Sequence, residues 1–370
     1  MLKAVHKVDV FLNDTAVGVI ALTDDNLCAF EYTSQYLLSG VSISPFYLPL
    51  QSGVFIAKRE PFNGVFGVFN DSLPDGWGKL LTDRFLTKQN IALTEVSILN
   101  RLCLLGSNCV GALNYKPQHD IINHNSVQDL NVLAKEVEQI LQNNYEGDLE
   151  SLFMQGGSSG GARPKVFIKK HDINWIVKFK ASSDPEYIGE LEYNYSLAAR
   201  KCGLEMPETH LFEGKYFGVK RFDIEGQKKY HVHSASGLLY ASYRYPSIDY
   251  TDLIKTTLAL TQNMQEALKL FRQMVFNVLT YNRDDHAKNF SYLLKNNTWS
   301  LSPSYDLVFS QGFNGEHTTT INGKGIPDKD DLFEVATQTG MPTKQIKLIY
   351  DDVYENSKDL VKELKTRKLI

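Results

Sequence analysis

No run of about 18 apolar residues occurs in the 370-residue chain, so a membrane-spanning helix is not expected. The first ten residues, Met1 to Val10, lack the apolar core of a secretory signal and read as a strand. Cysteine is scarce. Cys28, Cys103, Cys109 and Cys202 are scattered with no Cys-x-x-Cys pair, which favours buried free thiols over disulfides or a zinc clip and places the protein in the cytoplasm. Charge is nearly balanced, at −4 net, so nothing global calls for nucleic acid or a membrane surface. Gly-x-Ser-x-Gly is absent, and with it the nucleophile elbow of serine hydrolases. There is no internal repeat and no low-complexity tract. What remains is an ordinary soluble composition, 43% hydrophobic and 22% charged, long enough for two or three packed units.

The first fifty residues alternate as strands do, with Val8, Val10 and Leu12, then Val17, Val19 and Ala21, turned by Asn13-Asp14. A further strand is expected near Val54–Ala57. Asn70 to Gly78 carries capping residues and glycines ahead of Leu80, Leu81, Phe85 and Leu86, a helical pattern. Helices are also expected over Glu95 to Leu105 and Leu130 to Leu141, with residues 116–128 as a polar linker. From residue 151 a flexible glycine-rich turn, Gly156 to Gly161, feeds strands at Lys165–Lys169 and Trp175–Phe179. A helix bearing Glu190 and Glu192 follows, then strands at His210–Glu213 and Tyr216–Arg221. Beyond Asp223 helices dominate, notably Gln265–Leu279 with its stripe Ala267, Leu268, Phe271, Met274, Val275, Val278 and Leu279. The pattern implies an α+β, kinase-like two-lobed fold. Its divisions fall at 1–115 (an added N-terminal subdomain), 116–223 (the rest of a β-rich lobe) and 224–370 (a mainly helical lobe).

Asp284 and Asn289 stand five residues apart, the D-x-x-x-x-N spacing of a catalytic base and a metal-holding amide, and Asp306 follows 17 residues later after a hairpin. Phosphoryl transfer needs these parts: one carboxylate to orient a hydroxyl, and an amide oxygen plus another carboxylate to hold Mg²⁺. Asp285 competes with Asp284 for the base; the spacing favours Asp284. Upstream, the glycines offer backbone N–H groups to phosphate oxygens. They do not form a Walker A motif, since Ala162-Arg163 stands where Lys-Ser/Thr belongs, and they miss G-x-G-x-x-G. Lys178 lies in the apolar run Ile176 to Phe179, where an ammonium needs a partner; α/β phosphates and Glu192, or Glu190, would serve. Lys220-Arg221-Phe222-Asp223 falls where a hinge would lie, with backbone near Lys220 and Phe222 for adenine and Asp223 for ribose. His231-x-His233 shares one strand face without a third ligand in view.

Taken together these residues resemble the HipA-type serine/threonine kinase toxins of bacterial toxin–antitoxin modules. Phe69 to Gly78 is close to that family's Leu-Pro-Glu/Asp-Gly-Trp-Gly segment. Asp284-Asp285-His286-Ala287-Lys288-Asn289-Phe290-Ser291 is close to its Asp-Gly-His-Ala-Lys-Asn-Phe-Ser loop, departing at Asp285. The resemblance implies Asp284 as catalytic Asp, Asn289 and Asp306 as Mg²⁺ ligands, and Lys178 as the nucleotide-binding Lys supported by Glu192. It implies Gly160, Gly161, Ala162, Arg163, Pro164 and Lys165 as the loop over the phosphates, departing from some relatives at Arg163-Pro164. Lys220, Phe222, Asp223 and His286 complete the expected nucleotide contacts. The resemblance further implies autophosphorylation of Ser158, or of adjacent Ser159, which holds the loop outward and inactivates the enzyme. It also implies a small helix-turn-helix, HipB-like antitoxin, operator DNA reached only through that antitoxin, and a protein substrate such as an aminoacyl-tRNA synthetase. The expectation is thus an ATP- and Mg²⁺-dependent protein kinase; the alternatives are a small-molecule kinase of the same fold or an idle nucleotide-binding co-repressor.

Overall fold

The computed structural model describes residues 5–38, 40–118, 129–145, 147 and 149–370, so most of the expected 116–128 linker lies outside the described residues. The chain is mixed α and β and forms two compact units, residues 1–189 with 210–233, and residues 190–209 with 234–370.

In the first unit a five-stranded sheet runs Val54–Ile56, Cys28–Tyr32, Thr15–Leu22, Lys7–Leu12, Leu113–Lys116, every neighbour antiparallel. Val8 and Val10 point inward as the alternation requires, but the partner strand departs from it: Val17 and Ile20 are buried while Val19 and Ala21 are half-buried. The cause is a register shift at Val10/Phe11. Val10 faces Gly18 and Phe11 faces Ala16, so Val17 is an extra residue and every later side chain changes face.

The second sheet orders Lys165–Lys170, Ile173–Lys178, Tyr216–Lys220 and Thr209–Phe212. Helices Gly76–Lys88, Leu130–Leu141 and Leu149–Gly156 share its core through Trp77, Leu81, Phe85, Leu133, Val137 and Phe153, with Phe85 stacked on Phe153 at 4.7 Å. Leu130–Leu141 matches its expected span, capped by Asp129. The expected helix at Glu95–Leu105 is shorter, because Ser97 caps a new start and the helix proper is Ile98–Leu105 after a 3₁₀ turn at Leu93–Glu95.

The second unit is built on helices Tyr250–Thr261, Met264–Leu279, Lys329–Gln338 and Thr343–Thr366, together with most of Ile188–Lys201. Met264–Leu279 is buried on more faces than its stripe suggested. Leu270, Gln273, Phe276 and Asn277 are inside, while Val278 and Leu279 are only half-buried at its end. A hairpin, Ser291–Lys295 and Thr298–Leu301, turns on Asn296-Asn297, both left-handed as asparagine tolerates. Among the described residues no helix is long and apolar enough to cross a membrane. All four cysteines are free and buried, and burial pushes the Cys28, Cys109 and Cys202 thiols up to about 12.

Candidate active site

The expected site residues divide between the two units. In the first, the glycine segment is anchored where the sequence suggested a flexible turn. Gly156 closes the Leu149–Gly156 helix, Gly157 N–H donates to Phe153 O at 2.6 Å, and Ser159 Oγ donates to Gly156 O at 2.6 Å. Ser158 is 8% exposed, its Oγ buried with no hydrogen-bond partner. Only Gly160 and Ala162 are exposed peptides of the loop. Past it, Arg163 forks onto Asp184, with Nε to Oδ2 at 3.1 Å and Nη2 to Oδ1 at 3.3 Å, and Asp184 in turn accepts the Ala181 N–H. Pro164 O accepts Phe179 N–H, tying the loop's exit to the strand of Lys178.

Lys165 and Lys178 lie directly opposite each other in the antiparallel register, hence on one sheet face, and are only 8% and 9% exposed. Like charges so placed repel and are costly to desolvate. Lys165 Nζ donates to Gly160 O at 2.6 Å, which brings one ammonium to the glycine loop, and Lys178 Nζ lies 5.7 Å from the centre of the Phe217 ring. A polyanion held beside the loop would offset that repulsion.

The hinge candidates divide. Lys220 ends its strand opposite Trp175, and Phe222 is half-buried. Asp223 is buried and engaged: Arg221 Nε reaches Oδ1 at 2.9 Å, Arg221 Nη2 reaches Oδ2 at 2.5 Å, and Gly111 N–H donates to Oδ2 at 2.7 Å. These bonds make Asp223 a tie between Arg221 and the Gly111 backbone. Burial raises its pKa, yet the Arg221 charge and hydrogen bonds more than offset that and hold it below the usual 3.8. A depressed carboxylate stabilises the fold above its unfolded value and loses that contribution as pH falls through the folded one. The stability difference between wild type and Asp223→Asn, measured by urea titration, is therefore expected to be constant from pH 7 to about 5 and to shrink below about 4.

In the second unit the 282–289 loop is fixed from both sides. Asn282 N–H donates to Asn277 O at 2.9 Å, Asn282 Nδ2 to Asn277 Oδ1 at 3.0 Å, and Ser310 N–H to Tyr281 O at 3.0 Å. Asp284 is exposed. Asp285 is 1% exposed and accepts from Tyr250 Oη (2.9 Å), His317 Nδ1 (2.9 Å), Thr318 N–H (3.0 Å) and Thr319 N–H (3.3 Å). Asp285 is thus occupied with holding the loop, whereas Asp284 is exposed. Asn289 Nδ2 donates to Asp284 O at 2.7 Å, which aims its Oδ1 the other way. Asp306 adopts a left-handed backbone, φ 56°, a conformation a non-glycine residue takes at a cost. Its neighbour Tyr305 donates to Lys288 O at 2.7 Å and contacts Ser291 Oγ at 2.6 Å, tying the Asp306 segment to the 284–289 loop. His286 is half-buried, its Nδ1 without a hydrogen-bond partner. Of the two glutamates, Glu190 is exposed and ion-paired to Arg367 at 3.1 Å, whereas Glu192 is buried.

Mg²⁺ fits this half. Among the described residues no group of three His, Cys, Asp or Glu side chains could cage a metal. Mg²⁺ bound with phosphates needs only one or two protein oxygens and keeps its waters, and the Asn289 amide oxygen and the Asp306 carboxylate are donors of the kind it takes. Sequence reasoning missed a Ser–His–Asp array in the first unit. Ser44 Oγ lies 2.9 Å from His233 Nε2, and His233 Nδ1 lies 2.7 Å from Asp71 Oδ2. Ser44 is 1% and His233 0% exposed, so no substrate reaches them; the array pins strand His231–Ser234 to residues 43–71, with His231 Nε2 on Ile43 O at 2.8 Å. Burial, then His233, pushes His231 down to about 4.

Both units carry the residue patterns of one protein class, and the sequence comparisons name it. Residues 8–116 match the family model for the HipA N-terminal domain, and residues 157–361 match that for the HipA-like C-terminal domain. The chain belongs to the HipA family. It is 24% identical over 374 aligned residues to a Sinorhizobium fredii protein named "putative kinase Y4dM", covering 91% of this chain and 87% of that protein. It is 28% identical over 182 residues to a Haemophilus influenzae protein named "putative kinase", covering 42% of this chain and 53% of the relative. Among solved structures it resembles the Shewanella oneidensis toxin–antitoxin system HipA, HipB and its operator DNA complex, with a TM-score of 0.71 at 18% identity, over 97% of this chain and 91% of that one. At that identity the likeness establishes the fold.

Proposed function

We propose that this chain is an ATP- and Mg²⁺-dependent serine/threonine protein kinase. The observation that carries the reading is the placement of two nearly buried lysines, Lys165 and Lys178, opposite each other on one sheet face beside the glycine loop, where their charges would add in attracting a polyanion. The kinase names of the two relatives support it. Gly160, Gly161, Ala162, Arg163 and Pro164 would cover the phosphates, Glu192 would be the carboxylate partner of Lys178, and Lys220 and Phe222 would flank adenine. His286, with a ring nitrogen still to satisfy, would meet the nucleotide.

The acceptor hydroxyl oxygen bonds to the γ-phosphorus as the bond to the bridging β,γ-oxygen breaks. ADP departs with that electron pair, and the hydroxyl proton passes to the Asp284 carboxylate. Asn289 Oδ1 and Asp306 would hold Mg²⁺, which when bound neutralises charge on the β- and γ-phosphates. A protein acceptor, a HipB-like antitoxin partner, operator DNA reached only through it, and a cytoplasmic setting belong to the same reading. The 1–115, 116–223 and 224–370 division belongs to it too. Ser158 would be the autophosphorylated residue, and since its hydroxyl is buried, the loop must leave its place for the transfer.

The test is purified protein with γ-labelled ATP and cell lysate. Labelled protein bands, and a mass increase of about 80 Da on the Ser158–Ser159 peptide of wild type but not Asp284→Ala, are expected. Label confined to small molecules would replace the protein acceptor with a metabolite, and no ATP turnover would end the kinase reading. Lys178→Met is expected to weaken ATP binding about 10- to 100-fold, the worth of one charge-assisted contact, read by titration of a fluorescent nucleotide.

A further inference from the structure

We infer that Asp75-Gly76-Trp77-Gly78 is the seat on which the glycine loop rests, with Asp75 as its positioning residue, and that leaving this seat is the step that exposes Ser158. The inference rests on the kinase reading for its consequence and on geometry alone for the seat.

The Gly161 peptide is gripped from both sides. Its N–H donates to Asp75 Oδ1, and its carbonyl accepts the Trp77 N–H at 3.0 Å. Three more contacts spread along the loop. Trp77 Nε1 donates to Lys165 O at 3.1 Å, Thr82 Oγ1 approaches Gly157 O at 3.3 Å, and Gly78 lies against Ser159. The approach is backbone on backbone. A Cβ on Gly78 would stand 2.2 Å from Ser159 O, and one on Gly76 (φ 42°) would stand 2.4 Å from Gly161 O. Glycine at both positions is therefore required by the loop's close approach, and at Gly76 by the positive φ as well.

Asp75 occupies the N-cap of helix Gly76–Lys88, where an aspartate ordinarily accepts an N–H from its own first turn. Here it makes no such bond. Its oxygen goes to Gly161, while one orphan donor of that first turn, Trp77 N–H, is satisfied by the loop carbonyl. Loop and helix start complete each other, so the loss of either bond weakens the seat from one side. Using the Gly161 N–H in this way leaves Gly160 and Ala162 as the exposed residues of the loop. Ser158 sits inside this grip with a buried hydroxyl that has no hydrogen-bond partner. Burying an unpaired hydroxyl is unfavourable, which lowers the cost of unseating.

The seat is tested without nucleotide in the transfer-inactive Asp284→Ala chain, by amide hydrogen exchange. Asp75→Ala and Gly78→Ala are each expected to speed exchange at Gly161 and Trp77 by about tenfold, the equivalent of one to two hydrogen bonds, while strand Leu113–Lys116 stays protected. Asp75→Asn, which keeps an acceptor oxygen, is expected to exchange close to wild type. Unchanged exchange at Gly161 and Trp77 in both variants, or faster exchange throughout the chain, would overturn the seat whatever the enzyme's activity. In the active chain Asp75→Ala is expected to raise KM for ATP about tenfold with kcat less affected, and to raise the fraction of Ser158 phosphorylated. If wild type turns over ATP but Asp75→Ala changes neither quantity, the consequence for Ser158 is overturned. Absence of turnover in wild type itself instead counts against the kinase reading.

Discussion

Asp284→Ala is expected to lower phosphoryl transfer by about three to four orders of magnitude while the protein keeps its melting temperature. The two halves of that expectation come from one observation: Asp284 is exposed while the next residue is buried. An exposed carboxylate contributes little to packing, so its removal leaves Asn282, Asp285 and the Tyr281–Ser310 tie holding the loop. The chemistry, by contrast, depends on a carboxylate to orient the acceptor hydroxyl and take its proton. Asp284→Asn separates these roles, since the amide retains shape and loses basicity; it is expected to be as inactive as the alanine variant in a steady-state assay of ATP turnover. Near wild-type kcat in either variant would remove Asp284 from the mechanism. Asn289→Ala offers an internal comparison. It loses the bond to Asp284 O together with the amide oxygen assigned to Mg²⁺, so its deficit is expected to lessen as Mg²⁺ is raised, whereas that of Asp284→Asn is not.

What the sequence disclosed and what it hid follow from the range of the interactions involved. Helix Leu130–Leu141 was readable because its apolar spacing and its Asp129 cap are local. The HipA pattern around Asp284–Asn289 was readable because its residue types and spacing lie within one short segment. The facing of Val19 and Ala21 was not, since it turns on a bulge whose partner is another strand. The role of Asp75 was hidden for the same reason: Gly161 is 86 residues away, and nothing in either segment names the other. Ser44, His233 and Asp71 meet across separations of 189 and 162 residues, so no spacing rule reaches them. Spacing favoured Asp284 over Asp285 but gave no account of the second carboxylate, whose partners at Tyr250 and His317–Thr319 lie over thirty residues to either side.

Those partners make Asp285→Ala the variant with the largest expected effect on stability, a loss of about 3–5 kcal/mol in the second unit. Removing the carboxylate strands Tyr250 Oη, His317 Nδ1 and the N–H groups of Thr318 and Thr319 in a buried space, and each donor left unmade is costly. Asp285→Asn keeps one acceptor oxygen but turns an NH₂ toward one set of donors, so it is expected to fall between alanine and wild type. Urea unfolding, with amide exchange at Thr318 and Thr319, reads both. Glycine, the residue the HipA loop commonly has here, is not expected to rescue, because it supplies no acceptor for His317. Pairing Asp285→Ala with His317→Leu removes donor and acceptor together, and the double variant is expected to be more stable than the sum of the single losses by about 1–3 kcal/mol. Strict additivity would mean that Asp285 and His317 do not act as a unit. Positive coupling with kcat still depressed would show that this buried pair places Asp284 by holding residues 283–285 against 317–319, a role distinct from proton transfer.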